Sequence, residues 1–283
     1  MTVRILTTTA LLTLAAPAAH AMGHAGTTGY ALTDGGATLV TMADIAAPGE
    51  ARTHALETPL RAIAHRPVTG RLLGYADGAI YEVDPASGAL TDLGAAFADD
   101  AVIGEGAVAF DFNNRIDAVR AVGADGANLV HFPEGFGDGD ERAGSVRRFT
   151  DAFYAEGDAN AGAAPAIFAN AYTNAIPGGT ASSTAQYAID AGTDALVTLA
   201  NNAGELATVG ALTVDGEAVD VTDAGGFDIV SEAEGSDMAY AVLQIEGEDT
   251  AGLYLVDLAS GALTPLGDLG TGGVTGFAAS RGM

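Results

Sequence analysis

Residues 79–94 read AIYEVDPASGALTDLG, and residues 252–267 read GLYLVDLASGALTPLG. The two stretches agree at 11 of 16 positions although they lie 173 residues apart. Each alternates apolar and polar residues, turns through Asp, Ser and Gly, and alternates again, which is the pattern of a β-hairpin. Asp84 and Asp257 stand where an Asx side chain satisfies turn amides, so they are read as turn caps and not as catalytic acids. A weaker copy, QYAIDAGTDALVTLA from Gln186, keeps Tyr187, Ile189 and Asp190 in the same places, and Asp190 is read as a turn cap as well. Repeats of this kind are the mark of an array of like sheets.

Working outward, a further strand, turn and strand precede each hairpin. The series runs AIAHRPVTGRLLGY from Ala62, VAFDFNNRIDAVRAV from Val108, FANAYTN from Phe168 and GFDIVSEAEGSDMAYAVL from Gly226. Each set therefore supplies about four strands, and sustained helical periodicity is nowhere found. With Ala64, Asp111, Tyr172 and Asp228 taken as equivalent, the spacings are 47, 61 and 56 residues, near the ~40–50 of a propeller blade. The stretch GYALTDGGATLVTMADI from Gly29 begins with a second strand and lacks a first, whereas GVTGFAAS, ending at Ser280, is a first strand with nothing after it. The expectation is an all-β fold, a five-bladed β-propeller whose C-terminal strand completes the first blade. A sixth blade does not fit between Asp111 and Tyr172; the surplus residues there are assigned to loops.

Composition adds limits. Arg4, the apolar run Ile5–Ala16, Pro17 and Ala19-His20-Ala21 form a secretory signal, expected to span residues 1–21, with residues 22–283 as a single propeller domain in the periplasm or outside the cell. The chain has no cysteine, hence no disulfide. It carries 37 acidic residues against 11 basic ones, and every basic residue is Arg. Lysine-based covalent chemistry is excluded. So negative a surface repels phosphate backbones and anionic lipid, which argues against nucleic-acid and membrane partners. It suits solubility in salt, or the gathering of cations. A monomer is expected.

The stretches YALTDGGATLVT, RPVTGRLLGY, FDFNNRIDAVRAVGADGANL and GDANAGAAPAIFANAYTN resemble the secreted bacterial family known as domain of unknown function 4394. The resemblance runs from about Tyr30 to Ala279 and is most specific in the FDFN segment. It implies an exported, propeller-like protein and carries no activity or catalytic residues with it. Arg66, Asp111, Asn113, Asp117, Arg120, Asn128 and Tyr172 stand on the family pattern, whereas Ala64 and Val130 replace an Asp and an Arg.

Candidate sites follow from these residues. Asp111, Asn113, Asp117, Arg120 and Asn128, with Tyr172 and Asp228, make the densest polar set in a strand-rich setting. They are read first as braces between blades and second as a binding site, with Asp117 and Arg120 expected to pair. A hydrolase of glycosidase or lactonase type would need two carboxylates at controlled spacing, for which Asp111 and Asp228 are the inner-strand candidates. Asp138, Asp140 and Glu141 in GFGDGDERAG are the candidate ligands for calcium, although the loop lacks the remaining donors of a complete calcium loop. No other cofactor is expected. The leading functional expectation is a non-catalytic scaffold or binding module for a protein, glycan or cation.

Overall fold

A computed structural model of the chain describes residues 24, 26–47 and 50–282; the leader pattern of residues 1–21 lies outside them. Five small sheets form a five-bladed β-propeller. Blade 1 holds β1 (Thr28–Thr33), β2 (Thr38–Met42) and β3 (Arg52–Ala55). Blade 2 holds β4 (Ala62–Arg66), β5 (Arg71–Ala76), β6 (Ala79–Val83) and β7 (Leu90–Asp92). Blade 3 contains β8 (Ala96–Phe97), β9 (Val108–Asn113), β10 (Ala118–Gly123), β11 (Asn128–His131) and β12 (Ser145–Arg148). Blade 4 contains β13 (Phe153–Tyr154), β14 (Ile167–Tyr172), β15 (Gln186–Asp190), β16 (Ala195–Leu199) and β17 (Glu205–Ala211). Blade 5 contains β18 (Thr213–Val214), β19 (Glu217–Ala218), β20 (Val221–Ser231), β21 (Asp237–Ile245), β22 (Gly252–Val256) and β23 (Ala262–Asp268). The last strand, β24 (Gly276–Ser280), returns to blade 1 and pairs antiparallel with β1, Ala31 opposite Phe277. The ring is closed as the sequence predicts.

The two similar hairpins are the outer pairs of blades 2 and 5, β6 with β7 and β22 with β23. Asp84 accepts from the Ala86 N–H and the Ser87 hydroxyl, and Asp257 accepts from the Ala259 N–H. Their likeness is a shared turn at a shared place in the blade. The weaker copy differs: β15 and β16 are the middle pair of blade 4, and Asp190 there accepts from the Ala166 and Gly192 N–H groups and from the Tyr154 hydroxyl. Blades 3, 4 and 5 also exceed the four strands expected. A short length of the incoming linker pairs in parallel along the outermost strand, β8 on β12, β13 on β17 and β18 on β23, covering an edge that would otherwise be open.

The inner strands β24, β4, β9, β14 and β20 pack side by side around the axis. Five strands converging so closely carry many small buried residues: Ala62, Ala64, Ala109, Ala169, Gly226, Gly276 and Ala278. At Gly226 a Cβ would stand 2.3 Å from the Phe277 backbone nitrogen, so only glycine lets β20 approach β24. Larger residues point between blades, where Tyr75, Phe112, Phe168, Phe227 and Tyr240 are buried.

Candidate functional site

The polar residues predicted as one cluster separate into three places. The first lies between blades 2 and 3, where Arg66 donates from Nε to Asp117 Oδ1 at 2.8 Å and from its terminal nitrogen to Oδ2. Asp117, in the left-handed region at φ 53°, closes the β9–β10 hairpin and aims its carboxylate at the neighbouring blade. Asp117 therefore pairs with Arg66 and not with Arg120, because the hairpin turn carries it away from the β10 face on which Arg120 stands. The guanidinium of Arg66 also lies 5.8 Å from the Phe112 ring centre. With both side chains about one-fifth exposed or less, a double-mutant cycle of Arg66→Ala and Asp117→Asn, read by urea denaturation, should show a coupling of about 1–2 kcal/mol. Strictly additive effects would show that the pair is not a brace.

The second place lies between blades 3 and 4. Arg120, 3% exposed, donates to the Tyr172 hydroxyl at 2.7 Å, to Asn128 Oδ1 and to Asn202 Oδ1 at 2.7 Å. The Tyr172 hydroxyl donates to Gln186 Oε1 at 2.8 Å or Asn201 Oδ1 at 2.9 Å, and Asn113 reaches the same Asn201 oxygen at 3.1 Å. Asn128 donates to the Thr150 and Asn201 carbonyls. Burial holds the Tyr172 phenol up at about 12, with Arg120 opposing the rise. Asn113, Arg120, Asn128 and Tyr172 are thus one brace, joined by Asn201 and Asn202, which the sequence does not signal because they come from the 3₁₀ turn Asn201–Ala203 between β16 and β17.

The third place is the channel. Asp111 on β9 and Asp228 on β20 line the same void. Asp111 accepts from the Tyr172 N–H at 2.7 Å, and Asp228 from the Ile229 N–H at 2.7 Å and the Ala279 N–H at 2.6 Å. Each carboxylate so satisfies an N–H on the inner strand of the next blade, where the tight ring admits little water. Burial pushes Asp111 well above the usual carboxylate range, the Asp228 charge adds to the rise, and N–H groups of Tyr172 and Phe112 oppose it. Burial raises Asp228 to about 7 against the N–H groups of Ala279 and Ile229. The two carboxylates do converge, yet their void is about 10 Å³, the room of about one water molecule. His65 lines it too, kept largely uncharged by burial, with its value lowered to about 4.

Phe110, Phe227 and Phe277 line one adjoining void with Asn170. The residues after these phenylalanines are Asp111, Asp228 and Ala278, so Ala278 is the equivalent of the two carboxylates in the strand that completes blade 1. In blade 4 the channel position falls to Asn170, and Tyr172, two residues on, turns into the brace. A register irregularity between Ile167 and Ala169 accompanies this change. Asn170 carries a signal in the sequence, a lone amide inside the apolar FANAY, but no periodicity singles it out.

The acidic loop is arranged differently from a calcium loop. Asp140 accepts from Arg142 Nε at 2.9 Å and Nη2 at 2.6 Å, and from the Arg142 backbone N–H; these bonds hold it down at about 2. Arg142 in turn lies 4.8 and 5.0 Å from the Phe132 and Phe136 ring centres. Glu141 stands 3.9 Å from Arg147. Among the described residues no group of three or more His, Cys, Asp or Glu is placed to hold a metal ion. Calcium there would have to displace Arg142.

A larger cavity opens at the other end of the channel. It measures about 320 Å³ and forms where the chain leads into the inner strands of blades 1, 2, 3 and 5, floored by Pro59, Leu60, Ala107 and Ala224 and edged by Arg61, Asp223 and Thr275. Arg61 holds one wall in place by donating to Asp77 at 2.5 Å and to the Gly104 and Gly106 carbonyls at 2.5 and 2.9 Å. The repeats do not reveal this cavity, because most of its residues lie in the linkers between them and the rest at the start of β20 and in the β1–β2 turn.

No curated protein matches the chain. Among solved structures, similar folds occur in a nidogen/laminin complex (11% identity, 89% of this chain and 97% of that one, TM-score 0.45). Others are an auxiliary nutrient binding protein from Bacteroides ovatus (13%, 75% and 55%, TM-score 0.42) and a protein of unknown function from Bacteroides caccae (9%, 90% and 99%, TM-score 0.40). At the level of sequence the family profile of domain of unknown function 4394 matches residues 38–278, and the chain belongs to that family.

Proposed function

We propose that the protein is an exported, non-catalytic binding module whose rigid ring holds a small ligand in the cavity at the mouth of the channel. The observation that carries this reading is the contrast in room along one axis. The mouth offers about 320 Å³, within the ~300–1,000 Å³ range of small-molecule sites, while the void shared by Asp111 and Asp228 offers about 10 Å³. A glycoside or lactone in the mouth does not reach that pair, which weighs against the hydrolase reading. An apolar floor with Arg61, Asp223 and Thr275 at its edge suits a compact ligand with an apolar face and a few polar groups, such as a sugar ring. The leader pattern supports export, and N-terminal sequencing of protein recovered from its native host should begin near Met22.

The test is a thermal-shift screen of mono- and disaccharides against the wild type and Ala224→Trp, which fills the cavity. A ligand at 100 times its Kd should stabilise the wild type by about 2.7 kcal/mol, and the variant should lose most of that shift. Equal shifts in both proteins, or none in either, would remove the mouth as the binding site.

A further inference from the structure

The two like hairpins differ at their open ends, and the difference shapes a pocket. In blade 2, Tyr81 faces Asp92 in regular register. In blade 5, Tyr254 faces Pro265 but Leu253 faces Gly267, so Leu266 is an extra residue in β23 and Asp268 comes to stand opposite Gly252. A bulge re-aims side chains in this way. Strand alternation and antiparallel pairing then put Gly252, Tyr254 and Asp268 on one face. Gly252 stands where the other hairpin has Ala79, and a Cβ on it would lie 2.7 Å from the Tyr254 hydroxyl oxygen, so the glycine lets the phenol lie over the strand beside Asp268. These residues enclose a cavity of about 290 Å³, with Ile245, Pro265 and the Tyr254 ring as apolar walls and Glu248 and Asp268 as acidic ones. Tyr254 is only 9% exposed and lines this cavity, yet no described group of the chain bonds to its hydroxyl. A polar atom so placed calls for a partner.

We propose that this cavity on blade 5 binds a small primary alkylammonium ion. An ammonium head has three N–H donors, and the cavity presents three acceptors in Glu248, Asp268 and the Tyr254 oxygen. Asp268 accepts from the Thr250 hydroxyl at 2.7 Å and the Gly270 N–H at 2.6 Å, bonds that hold its carboxyl below the usual range and leave about two of its four acceptor sites open. Burial pushes the Tyr254 phenol up, and the charges of Glu248 and Asp268 add to the rise, as befits two carboxylates near one hydroxyl. Among the described residues neither carboxylate is ion-paired. The carbon stem of the ligand would lie on Ile245, Pro265 and the phenol ring, walls that a bare metal ion would leave unused. The volume stands near the lower end of the ~300–1,000 Å³ range of small-molecule sites, which suits a compact ligand. This cavity shares no lining residue with the mouth and does not depend on any ligand there.

The test titrates the full chain with 1-butylamine hydrochloride by calorimetry, in about 0.15 M sodium chloride to screen the acidic surface. The expected result is one ligand per chain, weakened about tenfold in Asp268→Asn by loss of a charge-assisted hydrogen bond and by a similar factor in Gly252→Ala, whose methyl group displaces the phenol. Affinity should be unchanged in Asp99→Asn, which removes an exposed charge elsewhere, and in Ala224→Trp, which fills the mouth. Ammonium chloride, lacking the carbon stem, should bind about tenfold more weakly than 1-butylamine. Should Asp268→Asn fail to fold, Gly252→Ala decides the matter, since the like hairpin carries Ala79 at that place. Absence of stoichiometric binding, equal affinity in the wild type and Gly252→Ala, equal weakening in Asp99→Asn and Asp268→Asn, or equal affinity for ammonium chloride would each overturn the proposal. Tighter binding of Nα-acetyl-lysine methylamide than of 1-butylamine would overturn the free amine in favour of a lysine side chain on a partner protein.

Discussion

Removal of Thr271–Met283 should leave a protein that is insoluble or melts far below the full chain. The deletion takes away β24, the inner strand of blade 1, which pairs with β1 along five residue positions from Thr28 to Leu32. Val274 and Phe277 are 0% and 2% exposed, and their burial is worth roughly 3–6 kcal/mol at ~1.5–3 kcal/mol per large apolar side chain. That is comparable with the whole stability of a typical domain, about 5–15 kcal/mol. The loss extends further, since the β1 edge becomes unpaired and Asp228 loses its Ala279 partner while still buried. Deleting only Arg281–Met283 removes the Arg281–Glu232 pair, whose carboxylate partner is 65% exposed, and should cost about 1 kcal/mol. A normal melting temperature for the longer deletion would refute the closure of the ring.

Acid should weaken the protein through His131, and substituting it should remove part of that weakness. His131 on β11 is 3% exposed. Burial lowers its value to about 4, the nearby Ser145 carbonyl opposes this, and the Arg66 charge adds to the lowering. In the unfolded chain the value is about 6.5. Between those limits the unfolded state binds the proton and the folded state does not, so stability is present above about pH 6.5 and is lost as pH falls toward 4. Each pH unit in that window is worth about 1.4 kcal/mol. From pH 7.5 to 5 the wild type should therefore lose roughly 2 kcal/mol more than His131→Leu in urea denaturation. The variant keeps some acid sensitivity from His65, which is lowered by burial in the same way. Parallel losses in the two proteins would show that His131 is not responsible.

The five-fold ring, its closure by the last strand and the outer position of the two like hairpins were legible in the sequence. Period-2 alternation, Asx-Gly turns and near-regular spacing are local signals, and each blade meets the same packing demand, so the signal repeats. The site residues were less legible. Asp111, Asp228, Arg120 and Tyr172 stood out as polar residues in apolar strands, but their partners did not. Arg66 meets Asp117 across 51 residues of chain, and Arg120 meets Asn202 across 82. A hydrogen bond between blades depends on the angle at which two sheets pack, and strand alternation says only which face a side chain leaves from.

The sequence by itself determined the number of blades, the turn caps and the closing strand, because these depend on residues close along the chain or on a motif missing at one end and present at the other. Tertiary structure decided which polar residue faces the axis in blade 4, where Asn170 takes the place expected of Tyr172 beside a register irregularity. It also decided that Asp111 and Asp228 share a void with the room of about one water, and that the larger cavity lies among the linkers at the opposite mouth. Distances across a ring are set by how five sheets close on one another, and that closure is a property of the assembled whole.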